Sequence, residues 1–452
     1  MVRLRFAPSP TGLLHVGNAR IALVNWMLAR REGGTFFLRL DDTDAERSRP
    51  AFSTAIVEDL HWLGLDFEGP VHQSERLDLY RECLDRLVAA GRVYPCFESP
   101  EELELQRKRL LASGKPPIYN RAALHLSTAE VEAFEAEGRR AHYRFKLSPG
   151  TIEWQDMVHG PLRFEAGDLS DPVVIRSDGR PLFTWSSCVD DADMGITHIL
   201  RGDDHISNTA AQIQIFEALG NAVPSFGHLP LLLDARGRNL SKRDDSLSLN
   251  ALRETGIEPM TVASYLALMG TSAAIEPRPD LDSLIADFDL GTFSTASPRF
   301  DPDELVQLNA RLLHARPFDD ELRERLEREV GGGPVPEEFW LAVRANLTTM
   351  ADAVPWWRVC FAEITPVMED PDLCAAAVSA LPAAPWHAST WSQESWQAWT
   401  ARLSEETGRK GRSLFLPLRV ALTGVAHGPE LRNLLPLIGY DRTRARLSGH
   451  VA

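Results

Sequence analysis

The stretch RFAPSPTGLLHVGNAR, residues 5–20, decides the fold. Around its start Leu4 and Phe6 alternate with Arg3 and Arg5, which predicts a short strand over 3–7 with one buried face. Pro8 and Pro10 stop that strand. After Gly17, Ile21, Val24 and Leu28 recur at helical spacing, so a helix is predicted from near Asn18 to about Gly33 and Gly34. TFFLRL, residues 35–40, reads as a second strand that ends at the acidic DDTD, residues 41–44. Strand, helix and strand in this order form a β-α-β unit with parallel strands and a right-handed crossover. Ligands of such sheets gather outside the carboxyl ends of the strands. Residues 8–17 and 41–44 both fall at that edge.

Working outward, AHYRFKL, GPLRFEAG and DPVVIRSDGRPLFTW read as short strands between about 140 and 185, as in an inserted module. VDDADMGITHILRGDDHISNTAAQIQIFEALG and FGHLPLLL then return to the α/β pattern. Beyond Asp301 nearly every segment reads as helix, with breaks at the Pro- and Gly-rich VGGGPVPEE and ALPAAPWH. No internal repeat or low-complexity tract is present.

The 452 residues suffice for about three domains at roughly 150 residues each. A hydrophobic fraction of 44% and a charged fraction of 25% belong to a globular chain, not a disordered one. No apolar run approaches the ~20 residues that span a bilayer, and MVRLRFAPSP lacks a signal-like apolar region, which predicts a cytoplasmic location. The five cysteines are far apart and form no C-x-x-C pair, so neither a disulfide framework nor a zinc knuckle is expected. A net charge of −16 argues against indiscriminate nucleic-acid binding. A local basic face is still available near the C-terminus, from Arg402, Arg409, Lys410, Arg412, Arg419, Arg432, Arg442, Arg444 and Arg446, with an ordinary mixed-charge surface as the alternative.

No Walker A loop and no G-x-G-x-x-G is present. The opening stretch nonetheless supplies glycines for close backbone approach, the imidazole of His15 and the positive end of a helix, which together suit a nucleotide. RGRNLSKRDDS, residues 236–246, places Ser241, Lys242 and Arg243 in a loop that could close on a phosphate chain and stabilise charge as pyrophosphate leaves.

Together, PSPTGLLHVGN and LSKR resemble the HIGH and KMSKS sequences of class I aminoacyl-tRNA synthetases, and the chain is most similar to the bacterial glutamyl-tRNA synthetases. The resemblance extends over LRLDDTD, HWLGLDFEGP, QSERLDLY, SDGRPLFTW, HILRGDDH, HLPLLL and LPLRVALTG. It implies an α/β class I catalytic domain of Rossmann type with an inserted α+β module that binds the acceptor stem, followed by an all-α anticodon-binding region. The boundaries it suggests are 1–95 and 173–234 for the catalytic halves, 96–172 for the insertion, 235–312 for the KMSKS loop and stem contacts, and 313–452 for the anticodon region.

The same resemblance implies ATP-dependent attachment of L-glutamate to tRNA(Glu) through a glutamyl-adenylate, with Mg²⁺ accompanying ATP. Charging of tRNA(Gln) as well is left open. His15, Gly17, Asn18, Ser241, Lys242 and Arg243 are assigned to ATP, with His15 and Lys242 in the catalytic role. Arg5, Ala7, Ser9, Asp41, Phe183, Ser187 and Arg201 are assigned to glutamate, and Thr43 and Asp44 to the tRNA 3′ end. Arg201 suits a carboxylate because a guanidinium offers a forked donor set; a salt bridge to Asp203 or Asp204 is the structural alternative. A monomer is expected.

Four positions depart from the family pattern. Asp41 stands where Glu is usual, Phe183 where Tyr is usual, and Asn239 replaces the first lysine of KMSKS. Cys96 stands alone in CFESPEEL, so no structural zinc is expected. Two rivals accompany the main reading. One is a paralogue that glutamylates a nucleoside within tRNA and lacks an anticodon region; the other is an inactive tRNA-binding protein.

Overall fold

The computed structural model describes residues 1–238, 240, 247–383, 386 and 391–452. Asn239, Ser241, Lys242 and Arg243 lie outside the described residues. The chain divides into two compact units, one of Met1–Thr255 with Val262–Asp301, the other of Gly256–Thr261 with Pro302–Ala452.

The first unit opens with β1 (Arg3–Phe6), α1 (Val16–Arg31), β2 (Thr35–Leu40), α2 (Pro50–Trp62), β3 (Glu68–His72) and α3 (Leu77–Ala89). An antiparallel segment follows: β4 (Val93–Cys96), α4 (Pro100–Ala112), α5 (Thr128–Ala136), β5 (His142–Phe145), the hairpin of β6 (Thr151–Asp156) and β7 (Gly160–Glu165), and β8 (Val173–Ile175). The chain then makes α6 (Phe183–Asp193), β9 (His198–Gly202), α7 (Ile206–Leu219) and β10 (Ser225–Leu229).

β1 pairs parallel with β2, β2 with β3, and β9 with β10. Thr197 N–H donates to Arg3 O at 3.0 Å, and Arg3 N–H donates to Thr197 Oγ1 at 2.9 Å. The working order across the sheet is therefore β3-β2-β1-β9-β10, and β1 lies at its centre. A central parallel strand is covered on both faces. This corrects the expectation of one buried face: Leu4, Arg5 and Phe6 are all buried, and Arg5 tolerates it because it is paired.

Helix α1 starts at Val16, ahead of the predicted Asn18, because His15 is its N-cap and accepts the Gly17 N–H on Nδ1 at 3.3 Å. The two prolines leave their carbonyls for other segments: Asp41 N–H donates to Pro8 O and Arg49 N–H to Pro10 O. The turn is thereby tied to the residues after β2. PLFTW is corrected from strand to helix, since Phe183 opens α6. The core of this unit buries Trp185, Phe145, Phe216 and Phe226.

The second unit is helical. Within the stretch expected to be helical, EEFWLAVRANLTTMADAV is broken into Glu337–Val343, two short 3-10 turns and the start of Ala353–Phe361, with Leu347 and Met350 turned into the core between them. The C-terminal basic set is thinner than its sequence suggests. Arg446 is wholly buried and donates to the carbonyls of Val359, Leu422 and Ala362, while Arg402, Arg409 and Arg432 pair with Glu406, Asp370 and Glu430. No helix among the described residues is long and apolar enough to cross a membrane.

Candidate active site

The site lies at the carboxyl ends of the parallel strands. β1 delivers Arg5, with Ala7 half-buried and Ser9 exposed in the turn behind it. β2 delivers Asp41, then the half-buried Thr43 and Asp44. β9 delivers Arg201, and the first turns of α6 deliver Phe183 and Ser187. At the start of α1, Asn18 is exposed, and a Cβ added at Gly17 would have, among the described residues, only His15 Nδ1 within 4 Å, at 3.7 Å. The space over that helix end is thus kept clear by the backbone. Because His15 Nδ1 accepts a hydrogen bond, its ring proton sits on Nε2, where it can donate to an anion. Downstream of Lys242 the chain returns to the same place, since Ser248 bridges to His15 and Leu249 N–H donates to Leu14 O at 2.9 Å.

Two buried groups of charges occupy the middle of the site. In the first, Arg39 contacts Asp41 and Asp191 at 2.7 Å each and Asp190 at 3.7 Å. Arg5 holds Asp191 with a fork at 3.0 and 3.3 Å. Gln73, Tyr80 and Arg76 complete Asp190 at 2.7, 2.8 and 2.7 Å. Burial pushes Asp41 up to about 6 despite Arg39, whereas Arg5 and Arg39 overcome the burial of Asp191 and hold it below the usual carboxylate range. Asp41, expected to contact glutamate, therefore already shares its carboxylate with Arg39. Asp44 is likewise held by Arg47 at 2.7 Å, with Arg180 at 3.6 Å.

The second group surrounds Arg201, which is 6% exposed. Its Nη2 donates to Thr209 Oγ1 and Gln212 Oε1 at 2.6 Å each, and its Nε donates to His228 Nε2 at 3.3 Å. These acceptors are all uncharged when the imidazole is neutral. Among the described residues Arg201 forms no ion pair, with Asp203 and Asp204 included, and its buried Nη1 has no hydrogen-bond partner. Burial, helped by the nearby charge of Arg5, lowers the guanidinium to about 9. A buried cation without a counter-charge is costly, so the arrangement is one that an anionic ligand would complete. Gln212 continues to Ser187 Oγ at 3.0 Å, and Ser187 donates to Phe183 O at 2.5 Å. Phe183 lies against His205 with ring centroids 5.0 Å apart, and burial followed by the charge of Arg201 holds His205 down at about 4, neutral near pH 7.

The residues Arg39, Asp190, Asp191, Thr209, Gln212 and His228 were not singled out from the sequence. Their signal was weak, being polar residues at otherwise apolar strand and helix positions such as Arg39 in TFFLRL and Gln212 in AAQIQIF.

Away from this site, Cys96 is not alone. Cys96 Sγ, a Glu98 oxygen and a His142 nitrogen lie within 4.8 Å of one another, and Glu98 Oε2 and His142 Nε2 are buried without hydrogen-bond partners among the described residues. Glu98 Oε1 accepts from Tyr119 at 2.6 Å, and burial pushes the Cys96 thiol up to about 12.

Comparison with known proteins follows the same division. Residues 1–306 match the family of tRNA synthetases class I (E and Q), catalytic domain, and residues 336–451 match an anticodon binding domain. A protein of Azospirillum brasilense named glutamate–tRNA ligase is 54% identical over 452 residues, covering 100% of both chains. A protein of Methylobacterium radiotolerans named glutamate–tRNA ligase 2 is 54% identical over 456 residues, again covering 100% of both. Among solved structures, a glutamate tRNA ligase from Elizabethkingia meningosepticum in complex with its amino acid aligns with a TM-score of 0.84 at 27% identity, over 99% of this chain and 98% of that one.

Proposed function

From its membership of the class I tRNA synthetases for glutamate and glutamine, to which the chain belongs, we infer that it joins L-glutamate to the 3′ end of tRNA(Glu) at the expense of ATP. Glutamate attacks the α-phosphorus of ATP, pyrophosphate leaves, and the terminal ribose hydroxyl of tRNA then attacks the acyl carbon and releases AMP. ATP enters as its Mg²⁺ complex over the start of α1, where His15 Nε2–H, the Gly17 backbone and Asn18 meet it, and Ser241, Lys242 and Arg243 are assigned to the same nucleotide. No enzyme nucleophile is required, and orientation together with charge stabilisation carries the rate.

The observation that supports glutamate is Arg201, a buried guanidinium with neutral partners and an open Nη1. The side-chain carboxylate of glutamate completes it. Glutamine would leave the charge uncompensated, and charge-assisted hydrogen bonds of about 1.5–3 kcal/mol give a large discrimination. Arg5, Ala7, Ser9 and Asp41 receive the amino-acid backbone, Phe183 and Ser187 form the pocket wall, and Thr43 and Asp44 lie in the path of the tRNA end. Residues 96–172 meet the acceptor stem and the helical unit the anticodon arm. The anticodon-domain match disfavours the nucleoside-modifying rival, which lacks that region.

We place the protein in the cytoplasm as a monomer, and without structural zinc. Among the described residues the Cys96, Glu98 and His142 donors number three, where a structural zinc site has four ligands. Pyrophosphate exchange with glutamate and ATP, with and without tRNA, tests the activity, and charging of purified tRNA(Glu) and tRNA(Gln) decides between one substrate and two. Wild-type inactivity in both assays would support the inactive-binder alternative.

A further inference from the structure

Arg201 stands directly across the ladder from His228, its register partner on β10. His228 is wholly buried, and its Nδ1 meets Asp156 Oδ2 at 2.5 Å. Asp156 closes β6 and is itself 2% exposed. Its other oxygen, Oδ1, accepts the backbone N–H groups of Val158, His159 and His228 at 3.0, 3.0 and 3.2 Å. The hairpin is tied to β10 by Met157 N–H donating to Phe226 O at 2.8 Å. Gly227 permits that approach, since a Cβ there would lie 2.5 Å from Leu200 Cδ2 and 3.1 Å from Met157 Cε.

This geometry settles the imidazole proton. Asp156 is an acceptor, so Nδ1 carries the hydrogen and Nε2 presents a lone pair to the Arg201 Nε–H and the Thr209 hydroxyl. A proton on Nε2 would face the guanidinium donor. Burial lowers the affinity of His228 for a second proton and Arg201 lowers it further, against the opposing pull of Asp156.

We propose that Asp156 and His228 are positioning residues for substrate recognition: the carboxylate fixes the imidazole tautomer, the imidazole fixes Arg201 at Nε, and Nη1 is thereby aimed at the glutamate side-chain carboxylate. The proposal rests on the reading of Arg201 as the glutamate ligand given above. It assigns to the β6–β7 hairpin, in a different part of the chain from the recognised motifs, a part in choosing the amino acid. Fixing a ligand through a carboxylate behind an imidazole is the device by which outer partners orient a binding group.

Asp156→Asn is the informative variant because it is isosteric. Three backbone N–H groups require an oxygen at the Oδ1 position, so the amide nitrogen must face His228 Nδ1 and donate to it. The ring proton then moves to Nε2, donor against donor with Arg201. In the full chain with tRNA, we expect Asp156→Asn to raise the KM for glutamate about tenfold to a hundredfold and to leave the KM for ATP unchanged. Nitrogen-15 spectra of the His228 ring should show Nδ1–H in the wild type and Nε2–H in the variant. His228→Gln, whose amide oxygen can reach the Nε2 position, should retain lower KM for glutamate than His228→Asn, whose shorter side chain reaches only Asp156. These two variants carry the test if Asp156→Asn does not fold.

Arg201→Lys separates the two levels. If it raises the glutamate KM while Asp156→Asn and the His228 pair move glutamate and ATP alike, or neither, the positioning role is overturned. If Arg201→Lys itself leaves the glutamate KM untouched, the assignment of Arg201 to glutamate fails and the proposal fails with it.

Discussion

Arg39 and Arg201 are both buried, each is the next-to-last residue of a parallel strand, and they are partnered in opposite ways. Arg39 is surrounded by Asp41, Asp190 and Asp191, so its charge is balanced inside the protein. Arg201 is held by a hydroxyl, an amide and an imidazole, so its direction is fixed and its charge is left for something else. The first kind of arginine holds the scaffold. The second is, on the proposed function, a binding group held ready, and the difference is in the charge of the partners and not in burial or bond count.

The contrast is broken most forcefully by neutralising each arginine with a side chain of similar volume. Arg39→Met leaves Asp41 buried without its cation and takes one of the cations from Asp190 and Asp191, and should cost about 3–5 kcal/mol of stability, read as a lower Tm and a lower midpoint in urea. Arg201→Met removes a charge that forms no ion pair with a carboxylate among the described residues. Its Tm should stay level or rise, while kcat/KM for glutamate falls about a hundredfold or more in pyrophosphate exchange. Equal destabilisation by the two changes would erase the distinction.

Asp41 sharpens it through pH. Its folded pKa of about 6 lies above the ordinary carboxylate value of 3.8, so the folded chain binds this proton more tightly than the unfolded one. Its contribution therefore disfavours the fold fully above pH 6, and the penalty disappears as pH falls toward 4. The groups facing it are Arg39, Asp190 and Asp191. For binding the direction is reversed: on the proposed role of Asp41 the ionised form receives the substrate ammonium, so the KM for glutamate should climb as pH drops through 6. Asp41→Asn should flatten that climb in a pH series of initial rates.

A smaller effect is expected at the nucleotide end. Among the described residues the methyl of Gly17→Ala meets nothing but His15, and the change replaces a helical glycine, so stability should rise by up to about 1 kcal/mol. The KM for ATP should rise with it, because the methyl occupies the cleared space. An unchanged KM would place the nucleotide elsewhere.

The sequence made the β1-turn-α1-β2 unit legible because its signals are local: alternation, two prolines, then helical spacing. Arg201 was legible as a strand-end arginine within a recognisable motif. Arg39 was not, since a lone arginine in TFFLRL looks like the solvent side of a strand until Asp190 and Asp191, about 150 positions later, arrive beneath it. His228 and Asp156 were hidden for the same reason, their partnership depending on where the β6–β7 hairpin docks. Phe183 was misread because the strand signal of VVI runs through a turn into α6 without an obvious cap. Arg446 was counted with a basic surface because nothing local shows that it faces backbone carbonyls.

The most direct test of the account is a crystal structure of the full chain with glutamate bound. The side-chain carboxylate should lie within hydrogen-bond distance of Arg201 Nη1, with the Arg39–Asp41–Asp191 contacts retained. A bound glutamate whose side chain engages Arg5 or Arg39, leaving Arg201 Nη1 without an anion, would contradict it.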